Sequence, residues 1–240
     1  MNQSWFLTKV KRQLGLINIV TPYEDLDSEI LSIVKDYTIP TFSVYCPVKE
    51  EMHLNMQDLE LVEKNDISEK YLLPDFKTRI LLYVFDIKYD TQMVAGLGYW
   101  GGGIPLTSGN LLQQMALTNA GMNTMNLMLP KLTFNFEKPR SIEIYNGYTS
   151  TTLLFSMGFQ HDDSFATITE TQRDSFVKLA LLDIKSNLYP TLKYYSENET
   201  AIGRINLKLD KWEQAEDDRE ALIKEWDETY HFDQQPFYYF

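Results

Sequence analysis

"KLTFNFEKPRSIEIYNG", residues 131–147, is the stretch that decides how the chain is read. Leu132, Phe134 and Phe136 alternate with Thr133, Asn135 and Glu137, and Ile142 and Ile144 alternate in the same way after the EKPR link. A period of two on both sides of a turn predicts two antiparallel strands, each with one buried face. Upstream, RILLYVFDIKY over Arg79–Tyr89 is a β-branched and aromatic run long enough for a central strand. Phe42, Val44 and Cys46, then Met52, Leu54 and Met56, then Leu59 and Leu61 also alternate, with a turn expected around Pro47–Glu50. Downstream, Thr152–Met157 and Ser164–Ile168 predict two further short strands.

Both flanks of this sheet change to a helical period. Ser4–Leu14 places Trp5, Phe6, Val10 and Leu14 on one face, with Gly15 as a C-cap and Lys9, Lys11 and Arg12 near the negative end of the helix dipole. In TPYEDLDSEILSIVKDY, Thr21 as N-cap, Pro22 at the first helical position and Glu24 three residues on predict a helix start. Leu26, Ile30, Ile33, Val34 and Tyr37 then share a face, and Pro40 is expected to stop the helix. Towards the other end, Thr169 with Gln172 forms a second capping box. Phe176, Val177, Ala180, Leu181, Ile184, Leu188 and Leu192 follow as an apolar stripe, with Pro190 as a kink or early end. A last helix over Asp210–Tyr230 lines up Trp212, Ala215, Arg219, Leu222 or Ile223, Trp226 and Tyr230, with acidic residues on its other faces. The expected fold class is α+β in a single domain, 1–240: short N-terminal helices, a central and mostly antiparallel sheet with a long uncharged insertion, then C-terminal helices.

That insertion, Val94–Leu129, has five of the eleven glycines in its first ten residues and no charged side chain. Met93, Met115, Met122, Met125 and Met128 are five of the nine methionines. GLGYWGGG lacks the spacing of a dinucleotide-binding loop and the Lys-Ser/Thr of a P-loop. A hairpin tip built on Tyr99 and Trp100 and a surface that packs against a neighbouring subunit remain as compatible readings. Methionine adapts to irregular surfaces, and covering an uncharged ribbon requires no charge to be desolvated. On this reading the contact residues are Tyr99, Trp100, Ile104, Leu111, Met115, Met122, Met125 and Met128. The C-terminal Phe237, Tyr238 and Phe240 are either a peripheral tail or docking anchors.

The rest of the sequence excludes more chemistry than it suggests. A net charge of −12 and a pI near 4.7 argue against gripping phosphate backbones, which runs on Lys and Arg. The lone Cys46 forms no intramolecular disulfide and fits a reducing compartment, more as a small core residue of a strand than as a nucleophile. No signal peptide and no membrane span is expected. His161-Asp162-Asp163 could offer metal ligands but reads as a solvated turn, and no GxSxG elbow exists. No catalytic residue, metal site or cofactor is assigned. The carboxylates of 210–228 read as a solvated helix face, and Arg219, out of place on the apolar side, is expected to pair with a carboxylate of another element or subunit.

The opening SWFLTKVKRQLG…TPYEDLDSEILSIVKDY…P joins a short helix, Leu-Gly and a capped helix. The closing KLALLDIKSNLYPTLKYYSENETAIGRINLKLDKWEQAEDDREALIKEW joins a helix, a Gly-Arg link and an acidic helix. Both ends resemble virion structural proteins of tailed bacteriophages, particularly neck and head–tail connector proteins of large contractile-tailed phages. The resemblance does not extend to the glycine- and methionine-rich insertion. It implies a non-enzymatic subunit of a homo-oligomeric ring in the virion, assembled in the host cytoplasm between portal or adaptor and tail proteins. DNA would pass through the ring without sequence-specific binding, as a negatively charged lumen favours. A tail terminator or a baseplate or tail adaptor is the alternative within that class. A carbohydrate- or receptor-binding module, suggested by the Tyr and Trp content, is the alternative outside it.

Overall fold

A computed structural model of the chain describes residues 1–17, 21–77, 79–89, 132–145, 152–197, 209 and 211–229. The first helix, α1 (Gln3–Leu14), starts where the Asn2 side chain accepts from the Ser4 N–H. It ends at Gly15, whose φ of 72° lies in the left-handed region that a glycine enters at no steric cost. The next helix begins later than the sequence suggests. Thr21, Pro22 and Glu24 lie outside it; α2 (Leu26–Ile33) is capped by Asp25, whose carboxylate accepts from the N–H groups of Asp27 and Ser28. The physical reason is position: Asp25 stands immediately before the first residue of the apolar stripe, where an acidic N-cap satisfies free amide donors.

Pro40 does not stop the helix either. Val34–Thr38 widens into a π turn, in which the Ile39 N–H reaches the Val34 carbonyl, and α3 (Ile39–Tyr45) follows directly. Proline has no N–H and its ring clashes with the carbonyl four residues back in a regular helix. The wide turn changes that geometry and puts Pro40 in the first turn of α3, where proline is tolerated. Phe42 and Val44 are therefore helical rather than part of a strand, and Cys46 is the C-cap residue. Their local alternation yields to packing, because Phe42 is fully buried among Phe176, Trp226 and His161.

The strands are β1 (Val48–Asn55), β2 (Glu60–Lys64), β3 (Ser68–Leu72), β4 (Leu81–Tyr89), β5 (Thr133–Glu137), β6 (Ser141–Tyr145) and β7 (Thr152–Phe159). A single 3-10 turn, Met56–Asp58, separates β1 from β2. The last helices are α4 (Arg173–Glu197), which carries Pro190 inside it, and α5 (Ala215–Thr229). Ser164–Ile168 forms consecutive turns instead of a strand: the Phe165 N–H reaches the Asp162 carbonyl and the Ile168 N–H reaches the Phe165 carbonyl. Phe165 itself adopts a positive φ of 62°, which breaks the extended run. The architecture is α+β, with helices before and after the strands.

The chain groups into two compact units, Met1–Val48 with Gln160–Phe240, and Lys49–Phe159. In the helical unit Phe6, Phe165 and Phe176 have ring centroids 5.1–5.7 Å apart, and Phe42 lies 5.2 Å from Phe176 and 5.9 Å from Trp226. Full burial of each Phe contributes about 2–3 kcal/mol.

In the sheet unit the described strands form two sheets, ordered β1-β7-β4 and β2-β3-β6-β5. β7, not β4, is the middle strand of the first; its Leu153, Phe155, Met157 and Phe159 are buried. The expected hairpin of β5 and β6 is present, antiparallel from Thr133↔Tyr145 to Glu137↔Ser141, with Ile142 and Ile144 buried.

Candidate functional site

Every contact residue expected from the sequence falls outside the described residues: Tyr99, Trp100, Ile104, Leu111, Met115, Met122, Met125 and Met128 in the insertion, and Phe237, Tyr238 and Phe240 at the C-terminus. What the structure does place are two buried polar clusters in the helical unit and several exposed surfaces.

The first cluster is built around Asp183 of α4, whose side chain is 1% exposed. Its two carboxylate oxygens are divided between partners. One accepts from Arg219 Nε of α5, and the other accepts from the Thr38 hydroxyl at 2.7 Å, at the end of the π turn. Arg219 also donates to the Thr41 hydroxyl at 3.2 Å. A buried carboxylate needs an opposite charge and full hydrogen bonding, and this one has both. Arg219 is thus the outlier the sequence marks, and its partner is another element of the same chain. The arrangement ties α4, α5, the π turn and α3 at one point. Its carboxylate is inaccessible and saturated with partners, so its role is that of a cross-link.

The second cluster corrects the reading of His161-Asp162-Asp163. Asp162 and Asp163 are exposed, as a solvated turn requires, but His161 is only 3% exposed. Its Nε2–H donates to the Cys46 carbonyl at 2.7 Å, which leaves Nδ1 to accept from the Thr167 hydroxyl at 2.8 Å. Its backbone N–H donates to Ser43 Oγ at 3.0 Å, and that hydroxyl donates to the Ile39 carbonyl at 2.6 Å. Burial lowers the imidazole pKa from its ordinary 6.5, against smaller raising effects of the Cys46 carbonyl and Asp162. Both ring nitrogens are engaged in the neutral form, so neither is free to bind a metal. Burial also raises the Cys46 thiol, the wrong direction for a nucleophile. Among the described residues no group of His, Cys, Asp and Glu is placed to hold a metal ion.

The surfaces differ in character. On α5 and the turn before it, Glu213, Glu216, Asp217, Asp218, Glu220, Glu225, Asp227 and Glu228 are all exposed, while Trp212, Ala215, Leu222 and Trp226 are buried. This is the solvated acidic face expected from the sequence. No helix among the described residues is long and apolar enough to cross a membrane. In the sheet unit, every residue of β2 is exposed, and Leu61, Val62 and Ile67 are 48%, 52% and 64% exposed. Leu61 belongs to the alternating strand pattern of Leu59 and Leu61 in the sequence. The sequence signal of exposure is that Leu61-Val62 is flanked by Glu60 and Glu63, with Asp66 beside Ile67.

Comparison with curated proteins finds no match. The chain does match a protein-family model, described as bacteriophage ring protein, over residues 1–235. That span takes in the whole of the uncharged insertion and both units except residues 236–240. A structural protein of a phage is what the two ends of the sequence resemble, and the family agrees with them: the chain belongs to the bacteriophage ring protein family.

Proposed function

We propose that this ring protein is a non-enzymatic subunit of the neck of a tailed-phage virion, in the head–tail connector that joins portal to tail and lets DNA pass. The observation that carries the reading is the family match across 1–235, to which the ends of the chain add their likeness to connector proteins. Charge supports it. A protein of net −12 whose α5 face is lined with exposed carboxylates repels a phosphate backbone instead of retaining it. In a closed ring each subunit offers one patch to a different patch of its neighbour. The uncharged ribbon of 94–129, with Tyr99, Trp100, Ile104, Leu111, Met115, Met122, Met125 and Met128, serves that contact, and Phe237, Tyr238 and Phe240 serve as docking anchors. The partners are further copies of the chain and the portal or adaptor and tail proteins above and below it.

Phage carrying a nonsense codon early in this gene provide the test. Electron microscopy of lysates should show filled heads and finished tails that do not join. Tails of irregular length would point to a tail terminator, and tails without a base structure to a baseplate subunit. Normal particles that fail only to adsorb would overturn the connector reading in favour of a receptor-binding module. Deleting residues 96–125 should preserve the far-ultraviolet circular dichroism and abolish assembly; loss of the dichroism would make the ribbon part of the core.

A further inference from the structure

The four-stranded sheet β2-β3-β6-β5 has two ends of opposite character. At one end the β2–β3 turn, closed by the Asn65 N–H on the Ser68 carbonyl at 2.8 Å, presents Ile67 at 64% exposure beside Glu63 and Asp66. Lys64 is taken up by Glu69 at 2.6 Å, while Glu63 and Asp66 make no ion pair among the described residues. The register fixes where the other end lies. Lys64↔Glu69 and Ser68↔Tyr145 stand next to the turn, whereas Leu72↔Ser141 and Glu137↔Ser141 stand farthest from it. The 138–140 turn therefore lies at the opposite end, joined to the segment after β3 by the Leu73 N–H on the Arg140 carbonyl at 2.9 Å. Here basic side chains predominate, with Asp75 accepting from the Lys77 N–H and Glu50 pairing with Arg79. Lys77 and Arg140 have no carboxylate partner among the described residues, and the Lys138 ammonium sits 5.1 Å above the Tyr83 ring. The segment leading into β4 holds Ile80 at 58% exposure.

An exposed isoleucine beside Glu63 and Asp66 thus stands at the β2–β3 turn, and a second exposed isoleucine, Ile80, precedes β4 in the segment that follows Lys77. In a chain of net −12, a basic surface of this kind among the described residues is unusual. The two patches differ, so they cannot make a two-fold contact with themselves, but each complements the other on a second copy, as a heterologous contact requires.

We propose that the β2–β3 turn of one copy docks on the 77–80 and 138–140 end of the next, Ile67 and Val62 against the Ile80 surface and Glu63 and Asp66 against Lys77 and Arg140. The contact runs through side chains. β2 is bulged between Leu61 and Glu63, which interrupts the ladder that backbone pairing would need. The inference rests on the ring reading, and it places a contact outside the uncharged ribbon.

Sedimentation velocity on the purified full-length chain separates the two claims. The wild type should form a closed oligomer. Ile67→Ser with Val62→Ser should weaken self-association at least about ten-fold with unchanged circular dichroism, because both residues are exposed and support no core. Asp66→Lys alone and Lys77→Glu alone should each weaken it, and the double variant should recover most of the loss. In a Cys46→Ser background, Ile67→Cys/Ile80→Cys should give a ladder of multimers with a short bis-maleimide, a readout that does not depend on weakened assembly. A wild-type oligomer that survives Ile67→Ser/Val62→Ser unchanged, or that yields no ladder, overturns this contact and leaves the ring reading standing. A wild type that stays monomeric at every concentration overturns the ring reading and the contact with it.

Discussion

The helical unit and the sheet unit keep their polar groups in different places. In the helical unit the decisive ones are inside: Asp183 and His161 are nearly inaccessible, and each ties together segments more than 100 residues apart in sequence. In the sheet unit Ser68 is buried and donates to Glu143 at 2.6 Å, but the ion pairs lie towards the surface. Lys64–Glu69 and Lys70–Glu137 each keep one member exposed, Lys64 at 67% and Glu137 at 52%, and β2 has no buried residue at all. The π turn before Pro40 and the left-handed Phe165 sit in the helical unit with these buried clusters. A helix that continues through Pro40 needs outside support, and the Thr38–Asp183 bond supplies it. An antiparallel ladder supports itself strand by strand, and surface charges do little more than flank it.

Breaking the aromatic centre of the helical unit should have the largest effect. Phe176→Ala removes a fully buried ring that touches Phe6, Phe42 and Phe165, and should cost about 4 kcal/mol in urea denaturation. Asp183→Ala should cost about 3 kcal/mol, towards the low side of a broken buried pair because the Arg219 side chain is 27% exposed and stays partly hydrated. Its loss should raise hydrogen exchange in α5 and around Val34–Thr38 more than in β5–β6. A uniform rise would refute the view that this cross-link acts locally.

The buried histidine sharpens the contrast through pH. Burial lowers its folded-state pKa below the ordinary 6.5, so in the acid range the unfolded chain binds the extra proton first. Its contribution is complete above 6.5 and is lost as pH falls below that value. His161→Gln should lower stability at pH 7.5 and flatten the decline between pH 6.5 and 5. A decline equally steep in the variant would assign it to other groups. Smallest of all, Lys70→Ala should leave the urea midpoint unchanged within error, since its partner is exposed and water replaces the pair. If Lys70→Ala matched Asp183→Ala, the distinction between the two units would collapse.

The elements that sequence reading placed well are those whose signals are local. Gly15 closes α1 where the sequence marks its end, and β5 and β6 alternate around a four-residue link. The Thr169–Gln172 box is also real as a contact, since the Gln172 side chain accepts from the Thr169 N–H at 3.3 Å, although α4 starts at Arg173. Failures cluster where a distant partner decides. Phe42, Val44 and Cys46 alternate like a strand, yet rings from α4 and α5 hold Phe42 in a helix. His161 reads as part of a solvated turn because the Cys46 carbonyl and the Ser43 hydroxyl are far from it in sequence. Arg219 was legible for the opposite reason: a lone guanidinium on an apolar stripe calls for a carboxylate, though not for Asp183 in particular.

The bulge between Leu61 and Glu63 has a consequence for the free chain before it joins any particle. An outer strand that is flat and apolar invites endless stacking of identical copies, hydrogen bond upon hydrogen bond, into fibres. A kinked strand bearing Glu60, Glu63 and Lys64 is a poor template for that growth. A subunit with this strand can accumulate in quantity without fibrillating, which any protein made in many copies for one structure has to achieve.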